Sequence, residues 1–164
     1  MAFPGMTGER SPFWKDHFRG GFIGFTPRHG RAHVLRAIME ASAYRVAVLL
    51  GRLRDCGLSP STVTIVGGGS GNDLWNQVRA DVIGLPLISL REAEATSLGT
   101  AVFCRVALDP SASLASAAGN WRRERMRYLP EREKTRLYRK QVVLFQQCID
   151  AVDGVFSALH AATI

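Results

Sequence analysis

Five β-branched residues in a row, Thr62-Val63-Thr64-Ile65-Val66, run directly into Gly67-Gly68-Gly69-Ser70-Gly71. Such a run favours extended backbone, and the glycines behind it end any regular element. The junction therefore predicts a strand buried on both faces that closes in a glycine turn, with a helix starting at Asn72 or Asp73. A strand buried on both faces belongs to a sheet covered by helices, so the neighbouring segments should alternate between the two kinds of element.

They do. Residues 22–26 form a short apolar run, and a helix is expected over 29–56, stopped by Gly57 and Pro60. Its apolar face is read as Leu35, Ile38, Met39, Ser42, Val46, Leu49, Leu50 and Leu53. A second helix is expected over 73–83, with Leu74, Trp75, Val78 and Val82 inside and Gly84 as its stop. Residues 86–90 read as another strand. Residues 92–108 read as a third helix, whose small Ala93, Ala95, Gly99 and Ala101 suit close packing on a sheet. From 131 to about 161 a long amphipathic helix carries Tyr138, Val142, Phe145, Ile149, Val152, Phe156 and Leu159 as its stripe. The expected fold is α/β, with a parallel three-stranded core from 22–26, 62–66 and 86–90 flanked by helices.

The 164 residues suit one domain, and 46% hydrophobic content suffices for a core. No run of 18–20 uninterrupted apolar residues is present, and Met1-Ala2-Phe3-Pro4-Gly5 lacks the features of a secretion signal. The expectation is a cytoplasmic protein with no membrane partner. Cys56, Cys104 and Cys148 are isolated from one another, which fits neither a disulfide framework nor a zinc knuckle. The net charge of +7 is local: between Trp121 and Lys140, nine bases against three acids carry six of the seven charges. No aromatic-interleaved motif accompanies them, so nucleic acid is not assigned as a partner.

The glycine run leaves two readings open. It can lay bare backbone against a flat ligand or a phosphate, next to the N–H groups of a helix start. It can equally be a plain strand-to-helix turn, because it matches neither the dinucleotide fingerprint nor the P-loop. His29 and His33 have the spacing of a helical metal pair but no third ligand, and no metal site is assigned. Glu92 and Glu94 are read as acids favoured at a helix start, not as paired catalytic carboxylates.

Four blocks, in order, resemble the FGGY carbohydrate kinases. These are Gly8-Glu9-Arg10-Ser11-Pro12 with Arg19-Gly20, then residues 24–40, then 64–87 around the glycine run, then Glu92-Ala93-Glu94-Ala95-Thr96-Ser97-Leu98-Gly99-Thr100-Ala101. The likeness covers roughly residues 8–107 and is nearest to the xylulokinase-like branch. It implies the C-terminal nucleotide-binding domain, over residues 1–164, of an actin-like, ribonuclease-H-like kinase. It implies that ATP, with its Mg²⁺, lies against Gly68 and Gly69, that Gly67 permits the turn, and that Asn72 reaches the adenine or ribose. Asp81 and Gly99 would be structural, and Trp75 belongs to the core. The sugar-binding domain and the catalytic aspartate precede this region in the family, so no catalytic residue is assigned and the chain alone is expected to be inactive. The expected acceptor is a pentulose such as xylulose; the alternative is a stand-alone nucleotide-binding or interaction module. A vacant domain face would also favour a homodimer.

Overall fold

A computed structural model describes residues 1–91, 94–109, 111–119 and 123–163. Ten elements and one 3₁₀ turn follow in the order β1 (Ala2–Phe3), β2 (Gly21–Phe22), α1 (Arg31–Asp55), β3 (Val63–Ile65), the turn Gly68–Gly71, α2 (Asp73–Ile83), β4 (Leu87–Leu90), α3 (Ala95–Leu108), α4 (Leu114–Gly119), β5 (Glu124–Tyr128) and α5 (Arg132–Thr163).

The helices start and stop where the chemistry dictates. The Asn72 side chain accepts the Trp75 N–H at 2.9 Å and caps α2. Gly84 closes α2 in the left-handed conformation, φ +67°, with its N–H on the Ala80 carbonyl. At the start of α1, His33 Nδ1 accepts the Gly30 N–H at 3.1 Å and His29 Nδ1 accepts the Thr26 N–H at 2.9 Å. Both histidines therefore serve the backbone at this helix start.

The sheet departs from the expected one. β3 and β4 are parallel, Val63 opposite Leu87, as the strand–helix–strand pattern requires. The third strand is β5, antiparallel to β4, with Leu87 opposite Tyr128. The segment 22–26 does not join this sheet: only Gly21–Phe22 is extended, pairing antiparallel with Ala2–Phe3 in a separate two-stranded ribbon. The aromatics of the first twenty residues explain this. Phe3 and Phe18 are buried against Phe145 and Phe156 of α5, which draws the amino-terminal segment to the helical layer and away from the sheet.

Two apolar clusters divide the interior. One joins Phe3 and Phe18 to Ala41, Ala43 and Tyr44 of α1, Val78 and Val82 of α2, and Phe145 and Ile149 of α5. The other packs Leu50, Ala80 and Ile83 on Leu87 and Tyr128 of the sheet. The α5 stripe is as expected up to Phe156, but Leu159 is exposed. The inner face of α1 is so only in part, with Leu50 buried and Val46 and Leu53 packed in the second cluster. Leu35, Ile38 and Leu49 are exposed, whereas Ala41, Ala43, Tyr44, Val48 and Leu50 are buried, because α1 meets α2 and α5 on different sides and close approach selects the alanines. Leu74 on α2 is likewise exposed.

Helix α3 packs chiefly on α4, with only Val102 buried, and does not lie on the sheet as its small residues predict. It begins at Ala95, and the expected start at Glu92 and Ala93 lies outside the described residues. Among the described residues, α5 alone is long and apolar enough to cross a membrane by length and composition. Its inner stripe packs on α1 and α2, and Tyr138 fixes it there, accepting from Arg36 Nη2 at 2.6 Å and donating to Glu40 at 2.7 Å.

Candidate functional site

The turn after β3 needs glycine at one position in particular. Gly67 has φ +88° and ψ 178°, a conformation that side chains exclude. Gly68 and Gly69 then enter a single 3₁₀ turn without positive φ, so the conformational freedom expected of all three is used at Gly67 alone. A β-carbon on Gly67 or Gly68 would meet nothing within 4 Å among the described residues, and this side of the turn is open with respect to them. A β-carbon on Gly69 would touch the Arg79 guanidinium at 3.2 Å and the Trp75 ring at 3.5 Å, so its side is filled.

A polar floor supports the turn from below. Asn76, fully buried on α2, donates through Nδ2 to the Ser70 carbonyl at 2.7 Å and to the Tyr128 hydroxyl at 3.3 Å. Its Oδ1 accepts from Arg79 Nη1 at 2.8 Å, and the same nitrogen reaches the Gly69 carbonyl at 3.2 Å. Burial holds the Arg79 guanidinium below its ordinary pKa. Its planar face lies 3.9 Å from the centroid of the Trp75 ring. The Trp75 indole N–H is spent on Ser42 Oγ at 2.9 Å and the Met39 carbonyl at 3.2 Å, which ties the assembly to α1. Trp75 is thus a half-buried structural residue, as the sequence suggests.

Strand β5 completes the floor. Tyr128 donates its hydroxyl to Asp73 at 2.7 Å, and Arg125 Nη1 donates to the same carboxylate oxygen at 2.8 Å. Hydrogen bonds from Arg125 and then Tyr128 hold the Asp73 carboxyl below the usual carboxylate range. Asp81, buried, accepts from Gln77 Nε2 and from the Glu131 N–H, both at 2.9 Å, and so anchors the start of α5. Gly99 lies on α3 with open space where a β-carbon would stand.

Gly67, Gly68, Gly69 and Asn72 are therefore brought to one edge, at the carboxyl end of β3 and the amino end of α2. Asn72 Oδ1 is engaged as a cap, while its amide nitrogen has no partner among the described residues and is exposed. Asn76, Arg79, Arg125 and Tyr128 are the residues missed from sequence. The alternation Arg125-Met126-Arg127-Tyr128 is a strand pattern that could have revealed β5, but in a charged stretch it reads first as solvated surface. Among the described residues no group of three or more His, Cys, Asp and Glu could hold a metal ion. A separate cavity of about 190 Å³ lies at the start of α1, lined by Phe22, Phe25, His29, His33, Arg36 and Glu40 among others, and none of the glycine-turn residues reaches it.

Residues 2–108 match the FGGY family of carbohydrate kinases, C-terminal domain. The chain is 34% identical over 144 residues to a glycerol kinase of Deinococcus radiodurans, covering 85% of this chain and 28% of that protein. It is 31% identical over 158 residues to a xylulose kinase of Bacillus subtilis, covering 96% of this chain and 32% of the relative. Its structure superposes on that of ligand-bound xylulose kinase from Lactobacillus acidophilus with TM-score 0.84 at 22% identity, over 97% of this chain and 32% of that one. It superposes on Plasmodium falciparum glycerol kinase with ADP at TM-score 0.72 and 23% identity, over 92% and 30%. The chain thus spans about three-tenths of the length of these relatives. The fold is that of the actin-like ATPases, here with a mixed sheet and a long final helix, and the chain belongs to the FGGY family of carbohydrate kinases, whose C-terminal domain it carries.

Proposed function

We propose that this chain is the nucleotide-holding portion of an ATP-dependent sugar kinase, and that ATP or ADP lies across Gly67, Gly68 and Gly69 with the Asn72 amide nitrogen in reach of the base or ribose. The observation that carries this reading is the open backbone face at Gly67 and Gly68, set beside the amino end of α2. The family supplies the reaction type, and the ADP in the glycerol kinase structure is in keeping with it. Mg²⁺ would enter on the nucleotide's phosphates, since the described side chains offer it no ligand set.

Phosphoryl transfer also needs an acceptor hydroxyl held in line and a base to receive its proton. We assign neither role to this chain, and place both in a sugar-binding domain supplied by the remainder of a longer protein. The acceptor we favour is a pentulose such as xylulose, from the xylulokinase-like motif blocks; the glycerol kinase relatives make glycerol the competing acceptor.

Titration calorimetry with ADP tests the nucleotide site. The parent chain should bind, and Gly68→Val should not, because the new side chain projects into the ligand plane from a β-carbon that has no atom of the described residues within 4 Å. Circular dichroism should be unchanged in the variant. Equal ADP affinity in the two proteins would reduce the glycine run to a turn.

A further inference from the structure

Four arginines of this chain line one groove and have no ion pair among the described residues. Arg54 comes from the last turn of α1, and Arg132, Arg136 and Arg139 from the first turns of α5. The groove has two adjoining lobes, of about 240 and 500 Å³, which share Gly84, Thr135 and Arg139 as common wall. Among the described residues no carboxylate lines either lobe, and Ala47, Val82, Ile83 and Val142 give the smaller one an apolar wall.

Three neighbouring bases of the same stretch are spoken for. Arg125 pairs with Asp73, Arg127 with Glu124 and Lys134 with Glu131, at 2.7 to 2.9 Å. None of the four groove arginines has an ion pair or a side-chain hydrogen bond among the described residues. The carboxyl ends of α1 and α2 also meet this edge, each with about half a negative charge. With the amino end of α5 adding about half a positive charge, four guanidinium groups against the two carboxyl ends leave roughly three and a half positive charges unbalanced.

We propose that this groove is a binding site for a small, multiply phosphorylated compound. Guanidinium forks match phosphate oxygens in bidentate fashion, and several converging on a concave wall select a compact polyanion. The apolar wall of Ala47, Val82 and Val142 beside the arginines argues for a compact ligand over a nucleic acid, whose backbone would need a continuous charged track. The site is distinct from the glycine turn: α2 lies between them, and its 11 residues set the two about 16 Å apart.

Titration of the chain with inorganic pyrophosphate, at fixed ionic strength balanced with chloride, tests the proposal. Saturable one-site binding should appear and weaken at least tenfold in the double variant Arg136→Ser/Arg139→Ser. Both side chains are exposed and unpaired, so folding is not at stake. The control Arg105→Ser/Lys140→Ser removes the same charge outside the groove and should bind as the parent does. Equal weakening in both double variants would reduce the effect to bulk charge and overturn the site, as would no binding beyond that of chloride. Preferential, steeply salt-dependent binding of a 20-base single strand that displaces pyrophosphate would overturn it in favour of a nucleic-acid surface. Gly68→Val should leave pyrophosphate binding intact, so this site and the nucleotide site can fail separately.

Discussion

The Arg79 guanidinium stacks 3.9 Å from the centre of the Trp75 ring and at the same time donates to the Gly69 carbonyl at 3.2 Å. One side chain thereby joins the floor of the glycine turn to the helix behind it. Arg79→Leu keeps much of the apolar contact and loses both polar links. It should destabilise the chain by about 1–2 kcal/mol, read by urea unfolding, and weaken ADP binding by loosening the turn. Unchanged stability would show that Trp75 and Asn76 hold the turn without it.

Within the glycine turn, Gly67 is the position where backbone conformation alone forbids a side chain. Gly67→Ala should cost about 1–3 kcal/mol although nothing lies within 4 Å of the added carbon. The contrast with Gly68→Val is diagnostic: the first should lower the unfolding midpoint, the second only ligand affinity.

Thr135 Oγ1 is enclosed and has no hydrogen-bond partner among the described residues. Replacing it with a methyl group removes a buried polar atom that gains nothing from folding. Thr135→Val should stabilise the chain by roughly 1 kcal/mol in thermal or denaturant unfolding. A loss of stability would mean that the hydroxyl finds a partner in solution.

Asp73 links β5 to α2, and its folded pKa is depressed by Arg125 and Tyr128. A depressed carboxylate contributes stability above its unfolded pKa of about 4 and loses it as pH falls through the lower folded value. The stability profile should therefore drop below about pH 4, and Asp73→Asn should flatten that part of the drop. NMR titration of the Asp73 carboxyl carbon should place its midpoint below that of an unstructured aspartate.

Much of the helical layer and half of the sheet were legible in the sequence. The positions of the β-branched strand, the glycine turn, the Gly84 stop and the α5 stripe up to Phe156 rest on local chemistry and stand where they were expected, but β3 is an edge strand with Thr64 and Val66 exposed, not a strand buried on both faces. What escaped depended on distant partners. Phe22 to Phe25 are apolar enough for a strand, yet Phe3 and Phe18 anchor the amino-terminal segment on α5. β5 hides among arginines because its inward residue, Tyr128, is buried by Leu50 and Ala80 from elsewhere in the chain. The open half of the site, Gly67 to Asn72, was readable because glycine and a capping asparagine carry their meaning locally. The supporting half, Asn76, Arg79, Arg125 and Tyr128, was not, because its hydrogen bonds cross up to 55 residues of sequence.

Strand β5 also sets a schedule. During synthesis β3, the glycine turn, α2 and β4 leave the ribosome together, in one stretch that ends at Leu90. The hydroxyl and guanidinium that brace Asp73 and Asn76 arrive only with residues 125 and 128, after α3 and α4 have been made. A nascent chain halted before Tyr128 would hold the whole glycine loop, with Asn76 and Arg79 beneath it, and still lack the β5 half of the floor, so full competence for nucleotide should be among the last properties this domain acquires.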